Sequence, residues 1–427
     1  MNARRARFAV WFVILTLAGC RDSSGPAPIG APSVTVGGVG RPSVLVNPNA
    51  AEEGTAKTIQ EGIDMVAEGG TVMVVPGTYP EAIVIDKGLT LEAIGGESGP
   101  VVVVAPPGAP DAIQVATSDP VIIRSLSVHV GTVHGIRAIG AVDLTVERSE
   151  ITAVQPPPGI SRLIFVLNDP NPSGRRARLF LRGSLLDGAI SPDQAPNVPE
   201  LNGLVVGGDV DAVLERNVIR RTNGQCIFIR VRGDLGGQMN VDILDNDLDE
   251  CYPRLGGAIA VAPVGGNDPS STRPFTAAGK VNIVGNTIRN TLGACRPINA
   301  ITYVVFEGRV EHNRIEGIVQ SCTTPSQGRA RAAGIWLGSQ LASAFFPPVN
   351  VTVRFNDIVG NAQAGLRLAP NMTAAIDASC NWWGSASGPS GVGPGSGDAV
   401  VPEAGAATPA FTPFATAPIA GTGATGC

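Results

Sequence analysis

Polar and large apolar positions recur along the chain in a short unit that repeats every 25 to 43 residues. The unit is clearest as LERNVI at 214–219, IVGNTI at 283–288 and VEHNRI at 310–315. In each copy, a Ser or Asn stands two positions before a large apolar residue. Repeats of this length predict a solenoid, in which each repeat buries its apolar face against its neighbours. The polar positions are Ser149, Ser184, Asn217, Asn246, Asn286, Asn313, Asn356 and Asn381.

A second unit follows most copies of the first and has a small residue before alternating apolar positions, as in NGLVVG at 202–207 and AGIWLG at 333–338. Alternation with period two predicts strands. Asn tolerates a left-handed backbone at a tight corner, so short strands joined by such corners predict one coil of a parallel β-helix with a ladder of corner amides. Aligning the second units predicts one inward stack: Leu204, Ile227, Ile259, Ile301, Ile335 and Leu366.

The segment before the repeats predicts a short amphipathic helix, because Ile59, Ile63 and Val66 lie on one side of it. This segment, the coils and CNWWGSASGPSG at 380–391 resemble the right-handed parallel β-helix proteins of the pectin-lyase-like superfamily. The resemblance covers residues 54–418. It implies an all-β fold, a right-handed parallel β-helix solenoid of roughly 8–11 coils that is closed by the N-terminal helix.

The cysteines test this architecture by their spacing. Two pairs lie 25 and 27 residues apart, close to one coil. Residues stacked in successive coils have Cα atoms about 4.8 Å apart, within the range of a disulfide. The last two cysteines would then attach the C-terminal tail, while metal ligation, the alternative, has no CxxC or Cys/His cluster to favour it. The predicted disulfides are Cys226–Cys251, Cys295–Cys322 and Cys380–Cys427.

The N-terminus has the pattern of an export signal: basic residues precede a 12-residue apolar run at 8–19. This run is shorter than the roughly 20 residues of a membrane-spanning helix. Leu17-Ala18-Gly19-Cys20 resembles the lipobox of bacterial lipoproteins, which implies that Cys20 is acylated, with Arg21 favouring the outer membrane or cell surface. An ordinary signal peptide is the alternative. The expected organisation is a signal at 1–19, a tether at 20–53, the β-helix at 54–391 and a closing segment at 392–427.

The amino-acid composition argues against one class of binding partner, nucleic acids, and favours a β-rich fold. The formal charge is −5, and the only lysines are Lys57, Lys87 and Lys280, which argues against nucleic-acid binding. The 54 glycines, 35 prolines and 4% aromatic content suit a β-rich chain with many turns.

The face opposite the inward stack is the predicted ligand surface. Exposed rings cover the apolar faces of sugars, and guanidinium groups pair with uronate carboxylates. The alternative interpretation is that these side chains pack under an inserted loop. The outward positions are Val205, Phe228, Ala260, Thr302, Trp336 and Arg367, with Arg230 beside them, and the expected ligand-binding residues are Phe228, Arg230, Trp336 and Arg367.

Acidic residues alternate in VDILDNDLDE at 241–250, where Asp245, Asp247 and Asp249 could bind Ca²⁺. The resemblance implies a calcium-dependent lyase as one alternative, with an arginine that removes the proton next to the uronate carboxylate. A solvated face is the competing interpretation. The candidate bases are Arg230, Arg232 and Arg254.

No catalytic motif of the related enzyme families is found, and His129 and His134 read as surface or turn residues. We therefore expect an exported, lipid-anchored monomer that presents a surface for polysaccharide, including uronate-rich polymers, or for cell-surface structure, without catalysis and without a cofactor. The alternatives are the calcium-dependent polysaccharide lyase and a protein adhesion module. Fold alone does not decide among them.

Overall fold

The computed structural model describes residues 40–95, 99–154, 159–169, 174–231, 237–254, 256–263, 277–293, 298–320, 332–340, 346–361, 363–419 and 427. Strands at the same place in successive coils pair in parallel and form three long sheets, here named A, B and C. The fold is the predicted right-handed parallel β-helix. Across the described ranges, sheets A, B and C contain 11, 10 and 12 strands.

The strands of each sheet follow in coil order. Sheet A contains Arg41–Val46, Val66–Val74, Leu89–Ala93, Pro120–Arg124, Asp143–Glu147, Ala177–Arg182, Val210–Glu215, Gln238–Leu244, Ala278–Val284, Glu307–Glu311 and Asn350–Arg354. Sheet B contains Gly77–Tyr79, Val101–Val104, Ser127–Val130, Glu150–Ala153, Leu185–Asp187, Val218–Thr222, Asp247–Cys251, Thr287–Arg289, Arg314–Glu316 and Asp357–Val359. Sheet C contains Ile83–Ile85, Asp111–Val115, His134–Ile139, Ser161–Asn168, Leu201–Gly208, Ile227–Val231, Gly256–Pro263, Ile298–Tyr303, Ala333–Leu337, Leu366–Leu368, Gly397–Pro402 and Pro389–Gly391. A small fourth sheet pairs Leu292–Gly293 with Val319–Gln320.

The predicted capping helix is present as α1 (Ile59–Met65), the one helix of the described ranges. Its N-cap Thr58 accepts a hydrogen bond from the Glu61 backbone N–H at 3.1 Å. The Glu81 carboxylate accepts two more helical N–H groups at 2.8 and 2.9 Å. Ile59 and Ile63 are fully buried against the first coils. In the part of the chain that the structure describes, no helix has the length and apolar character to cross a membrane.

The predicted ladder of corner side chains runs through the turn between sheets A and B. Each Asn from Asn217 to Asn356 donates its Nδ2–H to the Oδ1 of the next Asn at 2.9–3.0 Å. The same Oδ1 accepts the backbone N–H of the preceding rung at 2.9–3.0 Å. Because these amides are buried, the bonds satisfy groups that water cannot reach.

The prediction that Asn itself adopts the left-handed backbone is wrong. The left-handed residue is the one before each ladder position, with φ between 46° and 73°. That residue turns the chain, which leaves the Asn side chain pointing inward to bond the next coil. The left-handed residues are Arg148, Gly183, Arg216, Asp245, Gly285, His312, Phe355 and Cys380.

The predicted inward stack is confirmed in register and in burial. Leu204 pairs with Ile227, Ile227 with Ile259, and the same column continues to Leu366. All six side chains are fully buried. The small residue before the stack is also required, because a Cβ on Gly203 would lie 2.5 Å from the Cys226 carbonyl oxygen.

Two of the predicted disulfides, Cys226–Cys251 and Cys380–Cys427, are present. The third, Cys295–Cys322, lies outside the described residues, as do Cys20 and Arg232.

The predicted tether at 20–53 is too long, because Arg41–Val46 already forms the first strand of sheet A. Its short apolar stretch gains a hydrogen-bonding partner only when Val66–Val74 folds beside it.

Candidate functional site

The predicted ligand surface follows one column on the outer face of sheet C. Backbone pairing joins Val205 to Phe228 and continues without a shift to Arg367. The register deduced from the repeats is therefore the observed one. The positions of the column differ, however, in exposure: Val205 at its start is buried, and Phe228 beside it is partly exposed.

The C-terminal end of the column is closed, so the prediction that Trp336 and Arg367 are open ligand-binding residues is wrong. Trp336 is only 8% exposed, and its Nε1–H donates to the Gly338 carbonyl at 3.0 Å. The Arg367 guanidinium lies 3.6 Å from the Glu403 carboxylate of the closing segment. Thr302 and Ala260 are buried as well. The alternation of apolar residues gave the direction of each side chain and carried no information about what covers it.

In the middle of sheet C, Phe228 and Arg230 are partly exposed, whereas Val205, in register with Phe228 on the preceding coil, is buried. Arg162, on strand Ser161–Asn168, points toward the same area, and its guanidinium lies 4.6 Å from the Phe165 ring centroid, over the ring. Burial lowers the pKa of Arg162, and the positive charge of Arg230 lowers it further, against a smaller opposing effect of Glu200. Two half-buried guanidinium groups thus stand close enough to repel each other.

Neither arginine of this pair forms an ion pair with a carboxylate among the described residues, although Glu200 acts on Arg162 from a longer distance. The Nε atoms of both Arg162 and Arg230 are buried without a hydrogen-bond partner. A desolvated positive charge without a counterion is costly, and perturbed groups of this kind concentrate at functional sites. We call Arg162 and Arg230 the arginine pair.

A buried carboxylate and an imidazole adjoin the arginine pair. Asp111 is 5% exposed, and its Oδ1 lies 2.7 Å from His134 Nδ1. Its Oδ2 lies 3.5 Å from the Arg137 guanidinium. His134 Nε2 lies 3.2 Å from an Arg162 nitrogen, and the imidazole stacks on Phe165 with centroids 5.3 Å apart. Asp111, His134 and Arg162 are in register on three successive coils.

Sequence reasoning missed Asp111 and Arg162 and treated His134 as a surface residue. The signal that could have found them is spacing: the three residues are 23 and 28 apart, each near one coil. Their coils precede the clearest copies of the second unit, so no apolar alignment extended to them.

The predicted calcium site does not assemble. Asp247 and Asp249 share a face of sheet B as expected, but both accept hydrogen bonds from Arg289, at 2.5 and 3.2 Å. Asp245 occupies a left-handed corner position before the Asn ladder. Across the described residues, no three His, Cys, Asp or Glu side chains are grouped so as to hold a metal ion. Arg289 lies on the next strand of sheet B, in register with Asp249, so its guanidinium supplies the positive charge that the acidic segment alone led us to assign to Ca²⁺.

The candidate base Arg254 has a structural contact instead. Its guanidinium donates to the carbonyls of Ala195 and Val198 in the insertion before strand Leu201–Gly208. Asn223 Nδ2 donates to the same two carbonyls at 3.0 Å. These bonds fix the insertion that ends at Glu200, whose carboxylate acts electrostatically on Arg162. Of the three candidate bases, Arg230 alone has a described position on the open face.

Comparisons with known proteins agree on the architecture alone. No protein-family model matches the chain, and no curated protein matches it. Among solved structures, the A-module of a mannuronan C-5 epimerase from Azotobacter vinelandii is similar at 13% identity and TM-score 0.41, covering 81% of this chain and 90% of that one. Pectin methylesterase PemA from Erwinia chrysanthemi is similar at 11% identity and TM-score 0.34, covering 68% and 92%. At this level of similarity neither protein informs on the activity of this chain.

Proposed function

We propose that the outer face of sheet C binds an anionic polysaccharide whose acidic groups are carboxylates, as in a polyuronate, and that it does so without catalysis. The observation that carries the proposal is the arginine pair, half-buried and without an ion-pair partner among the described residues. A guanidinium group binds a carboxylate through two parallel hydrogen bonds. The partly exposed Phe228 ring beside the pair offers an apolar surface for a sugar ring.

The net charge of the chain indicates that a polyanion binds at a limited area of the surface. Because the formal charge is −5, the protein as a whole does not attract a polyanion. Binding must therefore come from the few places where positive charge is left unbalanced. The arginine pair is such a place, since Glu200 offsets it only in part.

The test is calorimetric titration of the full-length chain with polygalacturonate and, as the uncharged comparison, with fully methyl-esterified pectin. We expect Arg162→Gln and Arg230→Gln each to weaken polygalacturonate binding by about tenfold to a hundredfold, since a hydrogen bond to a charged group contributes about 1.5–3 kcal/mol. The matched control is Arg124→Gln on sheet A, which removes the same charge from an arginine that already has carboxylate partners at 3.0 and 3.7 Å.

Two results would overturn the proposal. One is an equal loss of affinity in the Arg124 variant, which would mean that net charge alone matters. The other is equally tight binding of the esterified polymer. The same mixtures, with calcium and with chelator, test the lyase alternative through the ultraviolet absorbance of an unsaturated uronate, and we expect no product.

The proposal includes the location expected from the lipobox, an outer membrane or cell surface reached through acylated Cys20. Replacing Cys20 by Ala should then move the protein from the membrane fraction to the soluble fraction. An unchanged membrane fraction would argue against lipid attachment at this residue.

A further inference from the structure

His134 connects the arginine pair to a buried acid. Its Nδ1 faces Asp111 at 2.7 Å, and its Nε2 faces Arg162 at 3.2 Å. A guanidinium group can only donate hydrogen bonds, so Nε2 must accept here, and the proton of the neutral ring is assigned to Nδ1. The contact between His134 and Arg162 therefore exists only while the imidazole is neutral.

Protonation of the ring reverses this contact. With a proton on Nε2, His134 and Arg162 are two donors facing each other, each with a positive charge. A ligand carboxylate placed between them accepts from both. The proton and the carboxylate thus favour each other's binding, and this coupling is necessarily reciprocal.

We propose that His134 makes carboxylate binding at the arginine pair proton-linked: the imidazole takes up a proton when the carboxylate binds, so affinity rises as pH falls. This inference rests on the polyuronate binding proposed above. It adds His134 as a ligand-binding residue and Asp111 as the residue that positions it.

The surrounding charges set the direction of the effect. Burial lowers the pKa of His134, Asp111 raises it, and Arg162 and Arg137 lower it, with a net direction below the ordinary value. The free site is therefore neutral at His134 near pH 7. A bound carboxylate adds negative charge beside the ring and raises its pKa. The affinity for the carboxylate is then constant at pH values above the pKa of His134 in the bound protein. Between this pKa and the pKa of His134 in the free protein, the affinity increases about tenfold for each pH unit by which the pH falls.

The test is titration with polygalacturonate near pH 5 and near pH 8, because uronate carboxylates, with a pKa of about 4, stay ionised in that range while histidine titrates. We expect roughly tenfold tighter binding at the lower pH for one unit of pKa rise. Calorimetry in two buffers of different ionisation heat should show net proton uptake. In His134→Gln both effects should disappear.

A second variant separates the charge of Asp111 from its hydrogen bond. In Asp111→Asn, the amide oxygen still accepts from Nδ1–H, but the negative charge is gone, so the pH midpoint should fall. The control is His312→Gln: His312 stacks on Phe355 with centroids 5.2 Å apart beside Arg354, yet no carboxylate among the described residues contacts its imidazole. Its pH profile should match that of the wild type.

The outcomes distinguish the two proposals. Binding that is equally tight at both pH values, or a pH dependence that persists in His134→Gln, overturns the proton linkage and leaves polyuronate binding in place. An absence of binding at both pH values overturns polyuronate binding and the linkage with it. Thermal unfolding of each variant shows whether a change in affinity occurs in a folded protein.

Discussion

Sheets A and C are built in the same way, from one strand per coil, yet their outer faces place arginine differently. On sheet A, acidic and basic residues alternate on five successive coils: Glu92, Arg124, Glu147, Arg182 and Glu215. Arg124 lies 3.0 Å from Glu147, and Arg182 lies 2.8 Å from Glu215. On sheet C, the arginine pair has no such neighbour among the described residues.

The difference separates arginines that pair with a carboxylate on the next strand from arginines that do not among the described residues. Opposite charges on adjacent strands support the sheet, by about 0.2–1 kcal/mol for each pair. The arginine pair forms no such ion pair among the described residues, and burial and the positive charge of Arg230 lower the pKa of Arg162. This contrast is the basis for proposing that the arginine pair, unlike the arginines of sheet A, binds a ligand carboxylate.

The largest expected effect concerns the closed end of sheet C. Trp336→Ala should lower the free energy of unfolding by about 3–5 kcal/mol, the usual cost of removing a buried aromatic side chain. Polygalacturonate affinity should change by less than about twofold, since the ring is covered. Denaturant unfolding and calorimetry measure the two quantities.

The control is Phe180→Ala on sheet A, where the ring is 42% exposed and the loss of unfolding free energy should be much smaller. A large loss of affinity with unchanged stability would restore Trp336 to the ligand surface.

An intermediate effect is expected from giving sheet C the charge pattern of sheet A. Ala262 is partly exposed and lies in register with Arg230 on the next coil. Ala262→Glu would place a carboxylate beside Arg230 and compete with the ligand, so affinity should fall about tenfold, as for loss of one charged hydrogen bond. Ala262→Gln has nearly the same size without the charge and should bind almost normally. Equal losses in the two variants would indicate a steric effect and contradict the charge argument.

The smallest effect is expected on sheet A. Arg182→Glu would align three carboxylates on successive coils and should destabilise the protein by about 1 kcal/mol, less at high salt. Adding Glu215→Arg should recover about half of the loss, because positions 182 and 215 regain opposite charges while position 182 still faces Glu147. Polygalacturonate binding should stay unchanged throughout. A change in affinity would mean that the two faces are not independent.

The sequence by itself determined the winding of the chain. The Ser/Asn ladder, the inward stack and the Cys226–Cys251 disulfide all depend on residues that recur once per coil. Such residues stack on each other in successive coils, whatever the length of the insertions at the corners. Capping helix α1 was equally predictable, because Ile59 and Ile63 follow from local helical spacing, although Val66, the third predicted position, already begins a strand of sheet A.

Only the tertiary structure decided which parts of the surface stay open and which charges stay unbalanced. Trp336 is covered, Arg289 neutralises the aspartates of the predicted calcium site, and Asp111, His134 and Arg162 meet although 51 residues separate the first from the last. The physical reason is that a repeat specifies its own inward side chains, while burial and ion pairing on the outer face depend on insertions and neighbours from other coils.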